Sequence, residues 1–188
     1  MTSAQKWAIV AVVVVVLLSS SGVAYMSGAF TSGKRYAPNS DEAKQLLRYA
    51  AATAGLPQSW ADLDSTHKIL ANESGGWVGR PNYTFGPVSK LQNADQWPTV
   101  WARLRAGEVW TSSTATGLGQ LLTSNVKSYY PNGLHGIGDP VNEAIGFLRY
   151  IRDRYGDPDT AWSVYGKIGD YVNSRTGKTQ HKGFKQGY

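Results

Sequence analysis

The stretch from Asp139 to Gly156 constrains the fold more than any other part of the chain. Asp139 is a good N-cap, and Pro140 suits the first helical position, where its missing N–H costs nothing. Val141, Ala144, Ile145, Leu148 and Ile151 then recur at helical spacing, and Gly156 closes the segment. The pattern predicts a long helix with one broad apolar face. Asp157-Pro158 repeats the same start and predicts a shorter helix that carries Ala161, Trp162 and Tyr165. A body built around this segment is mainly α-helical.

Upstream, Ser40 can cap a helix through Asp41, Leu46, Leu47 and Ala50 that ends before Gly55. A second helix is expected over Leu63 to Asn72, capped by Asp64 or Ser65 and stopped by Gly75-Gly76. Gly79 to Pro87 reads as loop or short strands, because Asn82-Tyr83-Thr84-Phe85-Gly86 has β-like chemistry. Trp97 to Arg105 predicts a short helix with Pro98 in its first turn. Thr116 to Leu122 opens another, extending to Tyr130. No internal repeat is visible. The 188 residues suffice for one compact domain, expected over 41–172, with appendages at 1–40 and 173–188.

The first appendage contains the uncharged run AIVAVVVVVLL. With its flanks, Trp7 to Tyr25, it makes ~19 residues, enough to cross a ~30 Å hydrocarbon core as a helix. Trp7 and Tyr25 would lie near the two interfaces. Residues 1–26 are thus expected as a single-pass transmembrane anchor, with a lipid bilayer as the partner of residues 7–25. A cleaved signal peptide is the alternative, since Lys6 gives a basic start and Ser27-Gly28-Ala29 a small-residue cleavage site. Residues 27–40, rich in Gly, Ser, Thr and Pro, read as a flexible linker. From Asn173 the chain turns polar and rich in Gly and Lys, and 173–188 is expected as a loosely packed basic tail.

The formal net charge of +6 suits an anionic partner such as nucleic acid, anionic lipid or an acidic wall polymer. Apart from Lys178, His181, Lys182 and Lys185 the cations are dispersed. No continuous basic stripe appears, so no specific nucleic-acid partner is expected. The chain has no cysteine, which excludes disulfides and thiolate metal sites. His67, His135 and His181 show no i,i+4 pairing, and no metal or cofactor is expected. Seven Trp and eleven Tyr supply rings for a core or a sugar-binding cleft. Trp77, Tyr83 and Phe85 are candidates for stacking on sugar faces, with core packing as their other use.

Glu73 lies at the expected end of a helix, followed at once by Ser74-Gly75-Gly76. A carboxylate there faces the negative end of the helix dipole. Partial desolvation would raise its pKa further. A carboxylic acid that keeps its proton near neutral pH is what glycosidic cleavage needs, because the leaving oxygen must accept a proton. The other reading is an ordinary surface Glu at a helix end.

Glu73-Ser74-Gly75-Gly76 is followed by Gly117-Leu118-Gly119-Gln120, by Asp139-Pro140-Val141-Asn142-Glu143-Ala144 opening the long helix, and by Ala161-Trp162-Ser163-Val164-Tyr165-Gly166. This order resembles the soluble lytic transglycosylase family, relatives of goose-type lysozyme, over roughly Asp41 to Tyr171. Gly119 stands where the family has Met, and the family's Asn-x-Gly does not follow Tyr165. The insert around Asn82 to Thr111 is similar to divergent phage-type members.

The resemblance implies an α+β lysozyme-like domain that acts on the peptidoglycan glycan strand. It implies Glu73 as acid and base between MurNAc and GlcNAc, with the C6 hydroxyl of MurNAc attacking C1 to give a 1,6-anhydro sugar. A two-carboxylate glycosidase would need a second acid, for which Asp95, Glu108 and Asp139 are candidates only by being acidic. Substrate binding is implied for Ser74, Gly117, Gln120 and Tyr165. Each has a structural alternative. Ser74 can cap its turn, Gln120 can close the Gly117–Gln120 turn, Gly117 can supply φ > 0, and Tyr165 can be a core ring or can orient Glu73. The phage-type likeness implies a virion protein that opens the wall locally during genome delivery. It would be anchored in a virion membrane or cell envelope, among other virion membrane proteins. A lysozyme-type hydrolase, a non-catalytic wall-binding virion protein and a membrane-bound nucleic-acid protein are the competing readings.

Overall fold

The computed structural model describes residues 30–183. Helix α1 (Asp41–Ala54) starts at Ser40, whose Oγ accepts the Ala43 N–H at 3.2 Å, and ends where Gly55 takes left-handed backbone. A 3-10 turn, Gln58–Asp62, leads to α2 (Asp64–Glu73). No side chain caps α2. Leu63 occupies the cap position, so neither Asp64 nor Ser65 plays that part. Two more 3-10 segments, Tyr83–Ser89 and Leu91–Gln96, precede α3 (Trp97–Arg105), which has Pro98 in its first turn. Then come α4 (Thr123–Tyr129), α5 (Pro140–Arg154) and α6 (Pro158–Ser163). Asp139 accepts the Asn142 N–H at 2.7 Å and Asp157 the Thr160 N–H at 2.7 Å, so both Asp-Pro pairs act as the helix starts their chemistry predicts.

Helix α5 is the axis of the fold. It packs against α1, α4 and α6. Every residue from Asn142 to Leu148 is buried, on all sides rather than on one face. A helix enclosed this way must satisfy whatever polar groups it carries. Beside it lies an aromatic cluster built on Trp97, Trp101, Leu104, Phe85, Val126 and Tyr130. Trp101 anchors this cluster, donating its indole N–H to the Gly79 carbonyl at 2.7 Å.

Four expectations are corrected. The first is the membrane helix. No helix among the described residues is long and apolar enough to cross a membrane. The segment 7–25, on which the anchor and the membrane-anchored location rested, lies outside those residues. Among the described residues the fold class is therefore a mainly α domain with one small sheet and no membrane-spanning helix.

The second is the linker. Arg35 forms a bridge with Trp77, the Tyr36 N–H bonds the Gly76 carbonyl at 2.8 Å, and the Val78 N–H bonds the Lys34 carbonyl at 3.1 Å. Tyr36 is buried. A Cβ on Gly76 would sit 2.0 Å from the Tyr36 carbonyl oxygen, so glycine there is what lets the two backbones meet.

The third is the tail. Strands β1 (Gly169–Val172) and β2 (Thr179–Lys182) form an antiparallel hairpin, with Gly169 opposite Lys182 and Val172 opposite Thr179. The fourth is the helix expected from Thr116. Thr116 and Leu121 instead exchange backbone bonds at 3.2 Å each, closing a tight loop. Gly117 (φ 79°) and Gln120 (φ 47°) both lie in the left-handed region, which no α-helix accommodates. Helix begins only at Thr123. Likewise, Asn82 to Gly86 falls at a 3-10 turn, and the nearby pairing is a single bridge between Pro81 and Thr116.

Candidate active site

Glu73 is the last residue of α2. It opens onto a groove lined also by Asn72, Arg80, Asn82, Tyr83 and Gln120. The Tyr83 ring, 73% exposed, stands on the groove wall. Burial pushes the Glu73 carboxyl from its ordinary 4.5 up to about 7, against the opposing pull of the Tyr165 hydroxyl and of the Lys182 charge.

Tyr165 reaches Glu73 because α6 packs on α2. Its hydroxyl donates to Glu73 Oε1 at 2.9 Å. The Trp162 ring stacks on Tyr165, with centroids 5.2 Å apart. Lys182 lies 5.9 Å over the Tyr165 ring and donates to the Val164 carbonyl at 3.2 Å. Its side chain is 1% exposed.

Gln120 faces the groove but is braced within it. Its Nε2 donates to the Arg80 carbonyl (2.8 Å) and the Gly117 carbonyl (3.1 Å), while its Oε1 accepts from Asn82 Nδ2 (3.2 Å). It thus closes the Gly117–Gln120 turn and sets one groove wall. The three other expected substrate contacts, Tyr165, Ser74 and Gly117, do not line this groove. Ser74 is fully buried, and its Oγ accepts the Gly76 N–H at 3.1 Å, which makes it a cap of its own turn. Gly117 backs onto Glu143 instead, because a Cβ there would lie 2.7 Å from that carboxyl. Of the expected stacking rings, Phe85 belongs to the buried cluster and Trp77 packs against it.

Glu143 is the residue that sequence reasoning passed over. It is completely buried on α5, and its carboxyl accepts the Gly79 N–H (3.0 Å), the Leu118 N–H (2.9 Å) and the Gly138 N–H (2.7 Å). Three loops are tied to one side chain. Burial raises its pKa to about 7 even so. The available signal was its place inside the apolar stripe of α5, between Asn142 and Ala144. Arg80 and Lys182 were also missed. Arg80 donates to the Ser74 carbonyl at 3.1 Å and lines the groove.

The candidates for a second acid serve elsewhere. Asp139 caps α5, Glu108 pairs with Arg103 at 2.6 Å, and Asp95 is exposed away from the groove. His67 is held in the interior, accepting the Asn39 N–H at Nδ1 (3.0 Å) and facing the Ala61 carbonyl through Nε2 (2.8 Å). Among the described residues no cluster of His, Asp and Glu is arranged to hold a metal ion. Comparisons with protein families, curated proteins and solved structures find no match to this chain.

Proposed function

We propose that the chain is a peptidoglycan lytic transglycosylase, cleaving the β-1,4 bond between MurNAc and GlcNAc with Glu73 as its acid and base. One observation carries this proposal. A single carboxyl group with a pKa of about 7 lines an open groove, and no second carboxylate lines it among the described residues. Glu73 keeps its proton in mildly acidic to neutral water and can give it to the glycosidic oxygen as the C1–O bond breaks. The resulting carboxylate then takes the proton of the MurNAc C6 hydroxyl, whose oxygen bonds C1. The anhydro sugar forms and Glu73 is again protonated. No second protein acid is needed, unlike in two-carboxylate glycosidases.

The surroundings suit this use. Tyr165 hydrogen-bonds one carboxyl oxygen and so orients Glu73. Tyr83 offers an exposed ring for a sugar face, and Arg80 brings guanidinium donors for the carboxylates of peptidoglycan stem peptides. The test is Glu73→Gln assayed on purified walls, with muropeptides read by mass spectrometry. Wild type is expected to release 1,6-anhydro ends, and the variant to release none while keeping the wild-type circular dichroism spectrum. Equal lysis by the two proteins rejects the proposal, and reducing ends in place of anhydro ends would make the enzyme a hydrolase.

A further inference from the structure

We propose that Lys182 is a positioning residue of the Glu73 site: its ammonium, fixed over the Tyr165 ring by strand β2, holds Tyr165 onto Glu73, the group that must act as both acid and base. The inference rests on the acid/base role given to Glu73. It starts from an oddity of burial. Lysine is seldom buried so fully, and only where polar groups answer its charge, and the Lys182 side chain is among the most enclosed in the described fold. Alternation along β2 turns Gln180 and Lys182 inward and leaves Thr179 and His181 exposed. Gln180 accepts from the Tyr171 hydroxyl at 2.7 Å, which pins the hairpin, and Lys182 reaches on toward the site.

Two contacts define what it does there. Its Nζ donates to the carbonyl of Val164, the residue before Tyr165, and so fixes the backbone from which that ring projects. It also stands 5.9 Å over the ring itself. The charged and titratable groups around the acid come from every neighbouring element. They are Tyr165 after α6, Lys182 on β2, Tyr150 on α5, and Arg80 on the groove wall, while Arg154 on α5 acts on Lys182. Lys182 and Glu73 act on each other reciprocally. The cation lowers the proton affinity of the acid, and burial lowers that of the lysine while the acid raises it. An acid that only gave its proton away would gain nothing from such a neighbour. One that must also exist as a carboxylate midway through the reaction does.

The test is a direct titration of Glu73 in the full chain, using ¹³C-carboxyl-labelled glutamate. Its resonance is assigned by its disappearance in Glu73→Gln. In Lys182→Met the Glu73 midpoint is expected to rise by ~0.5 pH unit or more, as removal of one nearby cation requires. Lys182→Arg should return it toward wild type, and the alkaline limb of wall lysis should move in parallel. A lysine that merely fills space would lower the melting temperature of Lys182→Met and leave the midpoint where it was, and that result overturns the proposal. Should Lys182→Met fail to fold, the reciprocal measurement decides. The side-chain ¹⁵N titration of Lys182 must shift to lower pH in Glu73→Gln, and an unchanged curve is equally fatal. Neither titration needs wall cleavage, so an inactive wild type would sink the transglycosylase function without deciding the lysine's coupling to Glu73.

Discussion

At Tyr165 a phenol sits against a carboxyl group, and burial together with the nearby Glu73 pushes its own ionisation far above the ordinary tyrosine range. It therefore remains a hydrogen-bond donor wherever the acid titrates. A donor on the carboxylate favours the charged form, so Tyr165→Phe is expected to move the Glu73 midpoint upward from about 7. Turnover should nevertheless fall by ~10-fold, because the carboxyl loses the bond that aims it. Rate against pH for the variant checks both halves. A lower turnover with no upward move of the alkaline limb would leave Tyr165 as packing alone. Ser74 illustrates the opposite outcome. It stands next to the acid in sequence, but its hydroxyl turns inward to its own turn, and adjacency along the chain says little about access to the groove.

Helix α5 and the Gly117–Gln120 loop depend on each other through Glu143. Gly117→Ala would place a methyl group 2.7 Å from that carboxyl at a φ of 79°, so both space and backbone oppose it. A loss of about 2–4 kcal/mol in urea unfolding is expected, from overpacking and left-handed strain together. A loss below ~1 kcal/mol would mean the loop simply moves aside. Elements of this molecule were legible where their determinants are local. Ser40, Asp139 and Asp157 mark the starts of α1, α5 and α6 because capping involves only the next few residues. The hairpin was not legible, since a Gly- and Lys-rich stretch looks alike whether it is solvated or folded back, and only tertiary contact buries Lys182. The same holds for the site. Glu73 could be singled out by its helix end and the glycines after it, whereas Glu143 owes its importance to three loops that arrive from distant parts of the chain.

For the whole molecule, two acids, one half-buried and one fully buried, shape how stability responds to pH. Glu73 and Glu143 each have a folded pKa of about 7, above the ordinary 4.5. The folded state therefore binds their protons more tightly than the unfolded chain does. Their protonation stabilises the fold most fully below pH ~4.5, and that contribution is lost as the pH rises to about 7. Asp153 and Asp157 act in the opposite sense, since their lowered pKa values favour the fold above the usual carboxylate range and fail it in stronger acid. Melting temperature should accordingly fall between pH 5 and 7.5. Glu73→Gln should flatten that slope and exceed wild type in stability above pH 7. The gain is expected to reach up to ~3 kcal/mol, since each pH unit separating the folded and unfolded midpoints is worth about 1.4 kcal/mol. Parallel slopes for the two proteins would show that the Glu73 pKa is not raised. The Tyr165–Glu73 bond also has a consequence in time, because it joins residues 92 positions apart. A polypeptide leaving the ribosome displays its acid long before the hydroxyl that aims it has been synthesised, and longer still before β2 follows. Half-made or clipped chains thus carry the carboxyl without its setting, and the glycosidic cleavage proposed for Glu73 would have to wait until translation has passed the hairpin.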